Sequence, residues 1–170
     1  MEKEIVNRVA QSKLITIDFS DYLPENEIVE FDLKQFLFRG TILNEREFRL
    51  ELKKFDVNKF HNKEVALFCS SECIIPMWAY MLATSKINGI ASEIYSGSKS
   101  EFLQKKTLAN IQNMNTDKFI NKKVIVKGCG QIQFNEELYI AVTKQLKNSV
   151  SSLMFGEACS AVPVYKIKKK

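Results

Sequence analysis

The chain has 170 residues, 45% hydrophobic and 26% charged, with a formal net charge of +5, one His and four Cys. That length buries a core without disulfide staples, and the balanced composition excludes collagen-like, coiled-coil and disordered classes. No apolar run approaches the roughly 18 residues of a membrane span, and Met1-Glu2-Lys3-Glu4 lacks the apolar stretch of a signal peptide.

A cytoplasmic protein without a membrane partner is therefore expected, its cysteines serving as thiols or ligands rather than disulfides. The positive charge is concentrated: Lys166, Lys168, Lys169 and Lys170 fall in the last five residues. The rest of the chain is close to neutral, so residues 168–170 read as a solvated basic tail. Nucleic acid is not the expected partner.

Residues 1–57 form a mixed N-terminal segment. Glu4–Ala10 reads as a short helix, Leu14–Phe19 as a strand, Tyr22–Asn26 as a turn and Ile28–Asp32 as a second strand. Asn44 with Glu47 is a capping-box pattern, opening a helix that carries Phe48, Leu52 and Phe55 at helical spacing.

From 58 to 167 strands and helices alternate. Glu64–Phe68 reads as a buried strand, continuously apolar from Val65, and Pro76 opens a helix to about Asn88, with Gly89 as its stop. Ala91–Tyr95 is the next strand. Ser98 with Glu101 makes a second capping box, for a helix to about Asn113. Lys123–Lys127 is a further strand. Asn135 is expected to cap a long helix bearing Leu138, Val142, Leu146, Val150 and Leu153, ended by Gly156, and Ala161–Ile167 is the last strand. Such alternation predicts one α/β domain over 1–170, with a mainly parallel sheet and helices on both faces. A short repeat supports it: Lys59–Val65 recurs at Lys118–Val124, 59 residues on.

In a parallel α/β sheet, chemistry gathers beyond the carboxyl ends of the strands. Cys69 ends one strand, and Gly128-Cys129-Gly130 ends what reads as the equivalent one. Cys159 lies in a predicted helix-to-strand loop, which belongs at the opposite edge and would have to return. Three readings compete. In the first, Cys69, Cys129 and Cys159, with Glu72 or Cys73 as a fourth ligand, hold zinc, iron or an iron–sulfur cluster. The spacing C-x3-C plus two isolated cysteines lacks the paired knuckles of a structural zinc site.

In the second, Cys69 or Cys73 beside a helix N-terminus acts as a sulfur transferase or redox thiol. His61 is predicted at the far end of its strand, so a base would be Glu72 or Glu157, and no arginine follows Cys69 closely enough for a phosphatase loop. In the third, the cysteines are buried filler in an interaction scaffold.

Other residues read as structural. Trp78, Tyr80 and Met81 are expected in the core, and Asp18, Asp21 and Asp32 as turn and capping residues. Gly128-Cys129-Gly130 does not continue as the G-x-G-x-x-G of a dinucleotide fingerprint.

The chain resembles a family of short uncharacterised Bacteroidetes proteins filed as a domain of unknown function. The matching stretches are Ile5–Val9, Val29–Leu33, Ile75–Met81, Val126–Gly130 and Gly156–Ser160 leading into Val162–Lys166. The resemblance implies no catalytic role. It implies a genomic setting near SUF-type iron–sulfur assembly, with assembly proteins as partners. It also groups Cys69, Cys129 and Cys159, leaving Cys73 peculiar to this sequence.

Overall fold

A computed structural model describes residues 14–128 and 134–167. The expected helix at Glu4–Ala10, Cys129 and the basic tail lie outside them. The described residues form a mixed α/β structure of mostly parallel strands, arranged in two sheets rather than the single expected one. It divides into two compact units, residues 24–103 and residues 1–23 with 104–170.

In the 24–103 unit, β2 (Ile28–Asp32), β3 (Glu64–Phe68) and β4 (Glu93–Ser96) form a parallel sheet in that order. The connections are α1 (Glu45–Lys54) and α2 (Met77–Ile87). Asn44 caps α1, its side chain accepting from the Glu47 amide at 3.2 Å, as the capping box predicts. Phe48 and Leu52 are buried, while Phe55 lies one residue past the helix end. Pro76 stands at the N-cap of α2, and Gly89 takes φ +79° just beyond its end, where a side chain would be strained.

β3 is buried on both faces, which explains its unbroken apolar run. Val65 and Leu67 pack with Phe31, Phe48, Leu52, Ala79, Ala83 and Ile87 on one side. Ala66 packs with Ile28 and Phe102 on the other. Phe102 comes from α3 (Lys99–Gln112), within which the two units divide. Both halves of the Ser98/Glu101 capping box form: the Ser98 amide donates to the Glu101 carboxylate at 2.7 Å, and the Glu101 amide donates to Ser98 Oγ at 3.3 Å.

The other unit holds the sheet β1 (Leu14–Ile17), β5 (Lys123–Val126), β6 (Ser152–Phe155) and β7 (Val162–Lys166), in that order. Only the β6–β7 pair is antiparallel. Here the sequence reading needs correction. The helix after Asn135 is α4 (Glu136–Leu146), and it stops at Leu146. Val150 and Leu153 are buried as expected, but Leu153 sits in strand β6. A helical i, i+4, i+7 pattern and a strand that buries one residue read alike over so short a stretch. Asn135 occupies the N-cap without a side-chain cap bond.

The repeat runs far beyond seven residues. Helices α2 and α4, strands β3 and β5, and strands β4 and β6 all stand 59 residues apart without insertion. Asn62 and Asn121 share a left-handed φ of 59° and 57°. Their amides donate to Ile90 and Ser149 carbonyls at 2.9 and 2.8 Å. Gly97 and Gly156 both have positive φ after β4 and β6, and their amides donate to Leu67 and Val126 carbonyls. Asp32 ends β2 and Asp18 follows β1, and each caps a 3-10 turn. The two units are copies of one βα design. The register also corrects the cysteine comparison: Gly128 is the counterpart of Cys69, and Cys129 that of Ser70.

Asp18 is a test of that end of the sheet. Ser20 Oγ and the Ser20 amide donate to it at 2.7 and 3.0 Å, and Lys127 Nζ lies at 2.9 Å. These hydrogen bonds, Ser20 first and Lys127 after, hold its carboxyl at about 2, against an ordinary 3.8. Asp18→Ala is expected to cost about 1–2 kcal/mol, mostly the lost cap, since the half-exposed ion pair contributes less. A depressed folded-state pKa means the contribution is full above roughly pH 4 and vanishes as pH falls through about 2. Urea midpoints of wild type and variant should therefore converge in acid. A gap that stays constant down to pH 2 would contradict this.

Candidate functional site

The candidate site is the carboxyl edge of β2 and β3. Asp32 ends β2 and Phe68 ends β3, the two being register partners, so the residues after them meet. The Ser70 amide donates to Asp32 Oδ1 at 3.0 Å and the Ser70 hydroxyl to Oδ2 at 2.6 Å. The Lys34 amide adds a third bond to Oδ1 at 2.9 Å. Burial opposes the Asp32 charge, but the Ser70 hydroxyl and the two amides outweigh it and hold the carboxyl below its usual range. Asp32 is a capping residue, as expected, and also ties down the loop that carries Cys69.

After Ser70 the backbone bends at Ser71, Glu72 and Cys73. Cys69 and Cys73 are free thiols, half-buried against the aromatic core. Burial raises the Cys69 pKa, and Cys73 and the Asp32 carboxylate beside it raise it further, against one stabilising bond from the Ser71 amide. Tyr80, one turn into α2, is raised by burial and then by Cys69, Cys73 and Asp32. Two thiols, a phenol and a carboxylate thus share one edge, where the Asp32 carboxylate and the neighbouring thiols make a negative charge on Cys69 or Tyr80 more costly.

Cys69 and Glu72 lie in the 24–103 unit and Cys159 in the other, while Cys129 falls outside the described residues. Glu72 is exposed. Cys159 is exposed too, in the loop between β6 and β7. Because β6 is a strand, this loop follows a strand end and sits at the carboxyl edge of β6, so no return from the opposite edge is needed. Among the described residues, no three His, Cys, Asp or Glu side chains gather where they could hold a metal ion. His61 precedes β3 and is exposed, at the end away from Cys69, as expected.

Sequence reading names Cys73, through the C-x3-C spacing, as a possible fourth ligand or reactive thiol, and it adjoins Cys69; Ser70 and Tyr80 are the partners it misses. Ser70 and Tyr80 carried no signal, because their roles depend on β2 pairing with β3 and on α2 starting at Met77. Met81, expected in the core, is 70% exposed, in line along α2 with Met77 at 72%. Trp78 is half-buried, its ring 5.6 Å from Phe48.

Fold and site together define a mixed α/β protein of duplicated parallel βα units, with a thiol pair at one sheet edge. The chain belongs to the family described as Protein of unknown function (DUF2480), whose model matches residues 3–167. Neither the curated proteins nor the solved structures compared with the chain gave a match. Among the described residues, no helix is long and apolar enough to cross a membrane.

Proposed function

We propose that the protein handles a thiophilic metal ion, zinc or iron, in a reducing cytoplasmic setting, with Cys69 as its central ligand. The observation that carries this reading is the juxtaposition of Cys69 and Cys73 beside Asp32 and Tyr80. Burial, Cys73 and the Asp32 carboxylate all disfavour a charge on Cys69, and a bound cation relieves that by replacing the thiol proton. Asp32 has its oxygens committed to Ser70 and Lys34, so the two sulfurs are the ligands this edge supplies. Two ligands leave positions open, which suits transfer to a partner better than storage.

The narrower form is an accessory of iron–sulfur assembly, passing iron to or from an assembly protein.

Protein purified without oxygen and titrated with zinc, then with ferrous iron, should take up about one ion per chain and release protons. Cys69→Ser should weaken uptake at least tenfold, in the range seen when metal ligation is disturbed. Cys129→Ser, Cys159→Ser and Glu72→Gln, put through the same titration, test the ligand set expected from sequence. Folded wild-type protein that takes up neither ion would overturn the proposal.

A further inference from the structure

We propose that Cys69 and Cys73 are also a redox gate: a disulfide between them closes the thiol edge, and its reduction reopens it. This rests on the metal-handling reading for its purpose but not for its chemistry. Cys69 is held by the end of β3 and by the Asp32–Ser70 tether, with bonds of 2.6 and 3.0 Å. The bend at 71–73 brings Cys73 back beside it. Both thiols are reduced and half-buried, packed on the same aromatic core that fixes β2 and β3. Two thiols held this way meet the first demand of a small-loop disulfide, that the sulfurs already be neighbours.

The oxidant is a low-molecular-weight disulfide, RSSR. One cysteine loses its proton and attacks a sulfur of RSSR. That S–S bond breaks, a mixed disulfide forms, and RS⁻ leaves and takes up the proton. The second cysteine then loses its proton and attacks the protein sulfur of the mixed disulfide, expelling a second RS⁻. Two protein thiols are oxidised by two electrons, and RSSR is reduced to two RSH. The product has no thiolate left at this edge, so metal uptake stops until a dithiol reductant restores it.

The experiment treats the full chain with glutathione disulfide and follows thiol count, peptide mass and zinc uptake. Titratable thiols should fall from the four of the sequence to two. The tryptic peptide 64–86, which holds both cysteines, should become lighter by two hydrogens. Cys73→Ser should instead trap glutathione on Cys69, with far-UV dichroism confirming that the variant is folded. Zinc uptake should be lost on oxidation and return with reductant.

A persistent glutathione adduct on wild-type Cys69, or a disulfide from Cys69 to Cys129 or Cys159, would overturn the gate. The two proposals fail separately. A peptide that closes in a protein that never binds zinc sinks the metal reading alone. Zinc uptake without closure sinks the gate alone.

Discussion

Phe31→Ala is expected to destabilise the 24–103 unit by about 3–5 kcal/mol, the range for emptying a buried phenylalanine site. Phe31 is fully buried in β2, opposite Leu67 of β3. Its ring stacks on Phe55 at 5.2 Å with 7° between planes, and touches Phe60 at 4.9 Å and Phe36 at 5.9 Å. Removing it takes one ring contact from each of Phe55, Phe60 and Phe36, and β strands and 3-10 turns anchored on both sides cannot collapse to fill the gap. The aromatic pairing adds to the burial loss. Phe31→Leu keeps most of the volume and should cost less than half as much. Urea unfolding followed by dichroism decides it. A loss below about 1 kcal/mol for the alanine variant would mean the cluster is not the anchor described here.

Leu153→Ala should cost about 3–5 kcal/mol in the other unit. Leu153 is 1% exposed and central in β6, paired with Val124 of β5 on one side and Tyr165 of β7 on the other. It packs with Leu138, Val142 and Leu146 of α4. The pleat turns the next residue, Met154, to the other face, where it is half-buried. Met154→Ala should therefore cost about 1 kcal/mol or less. A helix through this segment would instead place Val150 and Leu153 on one stripe. Comparable losses at 153 and 154 would contradict the strand.

Much of the fold was legible because local signals agreed with tertiary demand. Asn44 and Ser98 cap their helices through the residues three positions on, since a cap is local chemistry that needs no distant partner. The apolar run of β3 was readable because both of its faces are covered. The repeat was visible at Lys59–Val65 and Lys118–Val124 because the left-handed turns there demand Asn62 and Asn121. Across 69–76 and 128–135 the copies share no sequence; the 59-residue offset already puts Cys129 one position out of register with Cys69, and the strand and helix boundaries show that no insertion restores it.

Sequence alone determined the alternating βα organisation, the capped helices and the cysteines as the residues to watch, because each rests on periodicity, composition or near-neighbour hydrogen bonding. The tertiary structure decided what strand pairing alone can decide. It split the strands into two sheets, turned Leu153 from helix to strand, and put Cys159 after a strand end. It also joined Cys69 to Cys73, Asp32, Ser70 and Tyr80. Those relations depend on which strands lie side by side, and pairing partners tens of residues apart leave no periodic trace in the chain.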